Sequence, residues 1–187
     1  MVSQFVSTHN KRLLCDLDFN FPEGTHAIGR LDDASEGLLI LTTDKRVTRL
    51  IFLAEKPHPR SYLMMVQNHV TDATLLELKT GVKIIVKQGA YYNAIPTDVQ
   101  IIKSPLQHYQ WATDDREKYP HTWLLITLTE GKYRQVRKMV MAVRHRCMRL
   151  IRLNIAELKV EGIAPGEVLE LPAHTFFTQA MVGLPNQ

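Results

Sequence analysis

The sequence predicts an α+β protein, on three observations. Apolar runs of strand length recur along the chain, at 38–42, 60–66, 82–86, 90–94, 99–102 and 123–129. Val136, Met139, Val140 and Val143 repeat instead with the i, i+3, i+4, i+7 spacing of a helix packed on a core. The two kinds of segment are interspersed without internal repeats or a low-complexity tail.

At 187 residues and 45% apolar content the chain has the size of one domain, or of two lobes sharing a sheet, and can bury a substantial core. No apolar stretch approaches the roughly 20 residues that span a bilayer, and the opening Met-Val-Ser-Gln-Phe-Val lacks a basic region followed by a long apolar one. The expectation is a protein neither membrane-bound nor secreted. Cys15 and Cys147 lie far apart with no paired spacing, which fits free thiols in a reducing cytoplasm better than a disulfide framework or a thiolate metal site.

The elements follow in order. After a polar opening, 38–42 is apolar on both faces, so a strand is expected there inside a sheet covered on both sides. Asp44 then caps a helix that buries Val47, Leu50 and Ile51. A strand spans 60–66. Thr71-Asp72 starts a helix with Leu75, Leu76 and Leu78 toward the core, and Gly81 stops it. The runs at 82–86 and 90–94 flank Lys87-Gln88-Gly89, a hairpin loop, and 99–102 is a further short strand. From 104 to 121, two prolines and many polar residues without a period predict a mobile surface excursion or insertion. A strand resumes at 123–129, Glu130-Gly131-Lys132 turns, and the Val136 helix leaves Arg134, Arg137, Lys138, Met141 and Arg144 on its flanks and outer surface. Short strands at 148–153, 155–160 and 168–171 finish the pattern.

Chemistry concentrates in Gly29-Arg30-Leu31-Asp32-Asp33-Ala34-Ser35-Glu36-Gly37, a glycine-bounded loop ahead of an apolar strand that gives it a rigid base. Asp32, Asp33 and Glu36 could serve acid–base catalysis, metal binding or a capped polar turn. The calcium-loop spacing is absent, and the eight histidines form no HExxH or paired Cys/His pattern, so no metal site is expected. Glycine-rich phosphate loops, nucleophile elbows and dinucleotide fingerprints are missing too. Tyr62 opens a strand, either as a half-buried sheet residue or as a flat ring on which a displaced base could stack. Between 132 and 152, Lys132, Arg134, Arg137, Lys138, Arg144, Arg146, Arg149 and Arg152 occur with no acidic residue, which suits either a polyanion or a solvated helix face.

The segments GRLDDASEGLLILTTD at 29–44, RSY at 60–62, EGKYRQVRKM at 130–139 and PGE at 165–167 together resemble, in order and over nearly the whole chain, the RsuA-type pseudouridine synthases. The resemblance is closest to the RluE branch, whose members modify large-subunit ribosomal RNA and lack the separate RNA-binding domain that precedes the catalytic domain in many relatives. It implies the pseudouridine synthase catalytic fold, with a central mixed, largely antiparallel sheet and flanking helices, in a single catalytic domain over 1–187. No separate N-terminal RNA-binding domain fits before Gly29.

Carried over by position, Asp32 matches the family's catalytic aspartate, which either attacks the ribose anomeric carbon or takes a proton from its neighbour. Arg30 matches the arginine that helps displace the target base, Tyr62 the tyrosine that stacks on it, and Arg137 the arginine that pairs with the aspartate. A buried Asp32–Arg137 pair would keep the carboxylate ionised. Lys132, Arg134, Lys138, Arg144 and Arg149 are then expected on the RNA backbone. The uracil leaves through nitrogen and rejoins the same sugar through carbon, so no cofactor is implied. The expected partner is ribosomal RNA of the large subunit, with a monomer working in the cytoplasm.

Three departures from the family pattern stand out. A strand with a Lys-Pro motif usually precedes the position of Ser3-Gln4-Phe5; this chain starts too late for it, which suggests a shortened start and a missing edge strand. Asp33 stands where relatives often carry a basic or aromatic residue, and two inward carboxylates would raise the pKa of one of them. Arg60 replaces the commoner lysine before Tyr62. The competing readings are a noncatalytic ribosome-assembly factor that retains the fold, and a glycoside hydrolase using Asp32 with Glu36.

Overall fold

The computed structural model of the protein describes residues 1–8, 10–52 and 58–180. Its strands are β1 (His26–Ile28), β2 (Glu36–Gly37), β3 (Ile40–Thr42), β4 (Arg60–Gln67), β5 (Val82–Ile85), β6 (Tyr91–Ala94), β7 (Asp98–Ile102), β8 (His121–Leu128), β9 (Cys147–Ile155) and β10 (Leu158–Lys159). The helices are α1 (Arg46–Phe52), α2 (Asp72–Thr80), α3 (Gln135–Ala142) and α4 (Ala173–Gln179). This is the α+β class the sequence predicts.

The central sheet runs β10-β9-β4-β8-β7 with every neighbour antiparallel, and β2 joins β9 in parallel, Glu36 opposite Ile151 and Gly37 opposite Arg152. At its centre, Leu63, Met64, Met65 and Val66 of β4 are all fully buried. Alternate side chains serve opposite cores. Met64 and Val66 join Leu124, Ile126, Val136, Met139 and Val140 beneath α2, α3 and the β5–β6 pair. Leu63 and Met65 meet Tyr109, Ala112, Trp123 and Ile151 on the other face. A third cluster joins Ile28, Ile40, Val47 and Ile51 to Phe177 of α4.

The sheet-centre character expected of 38–42 therefore belongs to β4. Among the described residues the strand at 40–42 is a short ribbon paired with β1 alone, and only Ile40 in it is buried, packed with Val47 and Ile51 of α1. Val47 and Ile51 are buried as expected, with Asp44 Oδ1 accepting from the Arg46 N–H at 2.9 Å. In α2, Thr71 caps the start and Leu78 is buried, but Leu76 points outward and is 61% exposed. The hairpin forms as predicted, with Ile85 opposite Tyr91.

The region at 104–121 is a cover for the sheet instead of a free excursion. It sends Tyr109 and Ala112 into the lower core, and Arg116 Nη1 donates to the Met148 carbonyl at 2.6 Å. The strands expected at 148–153 and 155–160 are one long strand, β9, followed by a turn at Ala156, where φ is +51°, and the short β10. The stretch 168–171 is not a strand. Helix α4 and strand β1 were not anticipated: both are short, and their apolar residues number too few to show a period.

Candidate active site

The 29–37 loop is built by contacts at both ends. Ser35 N–H donates to the Asp32 carbonyl at 2.8 Å, closing a tight turn around Asp33 and Ala34. At its exit, Gly37 has φ +102° and lies so close to β9 that a Cβ would sit 2.3 Å from the Arg152 carbonyl oxygen. Only glycine fits there. Leu38 N–H donates to Arg152 O and Arg152 Nε donates to Leu38 O, each at 2.8 Å, so the loop is stitched to β9. At its entrance, Ser3 Oγ accepts from Leu31 N–H at 3.0 Å, and the Gln4 amide, with its oxygen toward Arg30, accepts from both guanidinium Nη atoms at 3.2 Å.

This anchoring sets Asp32 at the lip of a cavity of about 520 Å³, counting its open mouth, between the loop, the start of β4, the 130–135 turn and β9. The Asp32 side chain is 30% exposed and faces Arg137 Nε at 3.6 Å and Arg134 Nε at 3.8 Å. The expected buried pair is thus a partly open carboxylate before two cations. Arg137 spends its stronger hydrogen bonds on the loop itself: Nη2 donates to Ala34 O at 2.6 Å and to Ser35 Oγ at 2.9 Å, and Nη1 to Cys147 Sγ at 3.3 Å. Burial pushes the Cys147 thiol up to about 11, against the pull of the Arg137 guanidinium.

Asp33 turns away from the cavity. Its exposed carboxylate pairs with Lys11, which holds its pKa below the usual range. The two-carboxylate coupling considered from the sequence does not arise, since Asp33 faces out.

Tyr62 lines the cavity with Leu128, Val136 and Leu150, which supply apolar wall. Two buried arginines flank it, Arg60 at 6% exposed and Arg152 at 5%. Desolvation pushes both guanidinium pKa values down, and the neighbouring Tyr62 oxygen opposes this. Among the described residues no carboxylate pairs with Arg152, and its Nη2 is buried without a hydrogen-bond partner.

The rim is basic. Arg134 precedes α3 in a left-handed conformation, φ +52° and ψ +34°, which costs a non-glycine residue about 1 kcal/mol. Buried Gln135 holds this turn: its Oε1 accepts from Lys132 N–H at 2.8 Å and its Nε2 donates to Glu130 Oε1 at 2.7 Å. The Tyr92 hydroxyl donates to the other Glu130 oxygen, and Lys132 Nζ sits 5.0 Å over the Tyr92 ring. Lys138 donates to Ile85 O at 2.6 Å, and Arg144 is exposed beyond the end of α3.

Arg149 stands apart from the other cations expected on RNA. Its side chain is 11% exposed, Nε and Nη2 grip both oxygens of Glu36 at 2.6 and 2.9 Å, and it donates to Thr113 O and Trp111 O. It is a strut between β9, β2 and the 105–118 cover, because the strand register aims it at the lower face. The same clamp withdraws Glu36 from the acid–base role that the glycoside hydrolase reading requires.

The sequence model of the RNA pseudouridylate synthase family matches residues 6–142, most of the chain. The chain belongs to that family. Among curated relatives it is 33% identical over 171 residues to the ribosomal large subunit pseudouridine synthase E of Vibrio vulnificus, spanning 91% of this chain and 70% of that protein. It is 32% identical to the protein of the same name from Xanthomonas axonopodis pv. citri, over 88% of this chain and 85% of the relative. The fold matches a crystal structure of a pseudouridylate synthase with a TM-score of 0.68 at 22% identity, over 87% of this chain and 63% of that one.

In this pseudouridylate synthase family member the structure brings Arg30, Asp32, Tyr62, Lys132 and Arg134 to one cavity and Arg137 to its edge. Sequence reasoning did not single out Ser35, Gln135 or the particular place of Arg152. A signal existed for Arg152: it is the one charged residue inside the apolar run Leu150-Ile151-Arg152-Leu153. Gln135 offered none, since a glutamine at the start of a basic helix passes for a surface residue.

Proposed function

We propose that this protein isomerises a uridine of large-subunit ribosomal RNA to pseudouridine. The observation that carries the reading is the placement of one carboxylate, Asp32, at the lip of a cavity with an aromatic wall, Tyr62, and a cationic rim. A base taken out of an RNA stem loses stacking worth a few kcal/mol, and the Tyr62 ring offers a replacement surface. In this reading Arg30, which is exposed at the loop entrance, fills the gap the base leaves.

Asp32 acts at the ribose, either as nucleophile at the anomeric carbon or as base at the neighbouring carbon. Arg137 and Arg134 lie beside its carboxylate, and Arg137 also fixes the turn that carries it. Lys132, Arg134, Lys138 and Arg144 meet phosphates. The names of the Vibrio and Xanthomonas relatives support the large-subunit target. The protein works as a monomeric catalytic unit in the cytoplasm and needs no cofactor, because the reaction exchanges one bond of the same two fragments for another.

The test is to incubate the protein and its Asp32→Asn variant with unmodified large-subunit rRNA, then map pseudouridine by chemical labelling and primer extension. A new stop that depends on Asp32 is expected. Conversion by Asp32→Asn would remove Asp32 from the chemistry, and RNA binding without any conversion would favour an assembly factor.

A further inference from the structure

Arg152 is a buried cation with a donor left over. Its Nε donates to the Leu38 carbonyl at 2.8 Å and its side chain is within hydrogen-bond reach of the Tyr62 oxygen, but among the described residues its Nη2 has no partner, and the like-charged Arg60 lies nearby. A buried donor without a partner is costly, and a second cation nearby adds to the cost. Such an arrangement is retained where a ligand completes it. The side chain lines the same cavity as Asp32 and Tyr62.

We propose that Arg152 is a uracil-recognition residue whose Nη edge donates to a carbonyl oxygen of the base lying on Tyr62. The inference rests on the uridine-isomerising reading above. Depth within the cavity separates a base from a phosphate. Lys132 and Arg134 are exposed at the rim, where a solvated backbone can pass, whereas Arg152 is 5% exposed beside an aromatic ring. A phosphodiester drawn to that depth would lose its water; a flat, neutral base with two carbonyl acceptors would not suffer that penalty.

The contact strengthens as the reaction proceeds. When the N1–C1′ bond breaks, its electron pair stays on the uracil and spreads to O2 and O4, while the sugar carbon is taken up by the Asp32 carboxylate or loses a neighbouring proton to it. A guanidinium already fixed against those oxygens stabilises the charge without reorganising. As C5 bonds to C1′ the uracil supplies the pair for the new bond, and the Asp32 carboxylate either leaves C1′ or returns its proton to the neighbouring carbon; the C5 proton is then lost, its bonding pair returns to the ring and N1 takes up a proton, so atoms and charge balance.

The experiment uses the full chain and a short RNA oligonucleotide spanning the uridine that the wild-type protein is mapped to convert. Arg152→Gln keeps a donor for Leu38 O and removes the cation; Arg152→Lys, which keeps a cation without the fork, serves if the glutamine variant does not fold. The single-turnover rate at saturating RNA is expected to fall about 100-fold, with the RNA dissociation constant within about threefold of wild type. A 2-thio or 4-thio replacement at the contacted oxygen is expected to slow the wild type about tenfold and to slow the variant no further. A folded variant with an unchanged rate, a loss confined to binding, or equal thio effects in both proteins overturns the proposal while leaving uridine isomerisation standing. No conversion by the wild type overturns both.

Discussion

Arg149 holds Glu36 through two parallel charge-assisted hydrogen bonds, Nε to Oε1 at 2.6 Å and Nη2 to Oε2 at 2.9 Å. The pair ties β9 to the end of the Asp32 loop, so a cation that charge alone would assign to RNA is committed to holding the cavity in shape. Among the described residues the rim cations Lys132, Lys138 and Arg144 make no ion pair and Arg134 only the longer contact to Asp32 at 3.8 Å, so the two groups should behave differently under mutation.

Arg149→Met is expected to lower unfolding stability by about 2 kcal/mol, since it strands a partly buried carboxylate and two carbonyls. Denaturant unfolding measures this. The salt dependence of RNA binding should stay as in wild type, whereas Lys132→Gln and Arg134→Gln should each reduce the slope of log affinity against log salt by about 1 with little change in stability. A slope change in Arg149→Met would return that residue to the RNA surface.

Arg137→Lys removes the bonds to Ala34 O and Ser35 Oγ while keeping a positive charge near Asp32. Displacement of the Asp32 turn by about 1 Å is enough to cost on the order of 100-fold in rate at saturating RNA. Single-turnover kinetics on a mapped substrate decide it; a rate near wild type would mean that charge alone suffices.

Gly37→Ala forces a Cβ to within 2.3 Å of Arg152 O at a backbone φ of +102°. A loss of about 3 kcal/mol or more is expected, enough to unfold a marginal domain. Thermal melting compared with Gly24→Ala, where a Cβ meets nothing within 4 Å, isolates the steric part from the left-handed strain common to both.

Cys147, with its thiol raised to about 11 from an ordinary 9.0, ionises later in the folded chain than in the unfolded one. The unfolded state therefore releases its proton first, and stability is lost as pH rises from about 9 toward 11, by on the order of 2 kcal/mol. Cys147→Ala should flatten that part of the stability curve. In the native protein a thiol reagent at pH 8 should label exposed Cys15 quickly and Cys147 slowly.

What the sequence disclosed, and what it hid, follows physical range. Asp32, Tyr62 and the Val136 helix were legible because local pattern and family motifs fall on the same residues. The hairpin was legible because its turn chemistry is local. Sheet order was not, since β2 pairs with β9 across most of the chain, and periodicity cannot announce a parallel pairing of two residues. The different duties of Arg149 and Arg152, three positions apart on one strand, were hidden as well. Charge counts treat them alike, and only the register of β9 sends one to the clamp beneath the loop and the other to the cavity.

The stitching of Leu38 to Arg152 joins residues 114 positions apart. During synthesis the loop that bears Asp32 emerges early, but its exit at Gly37 and Leu38 has no strand to fix it until β9 has left the ribosome. Long-range closures of this kind form late, after the loop-closure entropy has been met by other contacts. Catalytic competence thus waits on the synthesis of β9: chains halted before residue 147 should leave the Leu38 amide open to hydrogen exchange, and chains that include β9 should protect it.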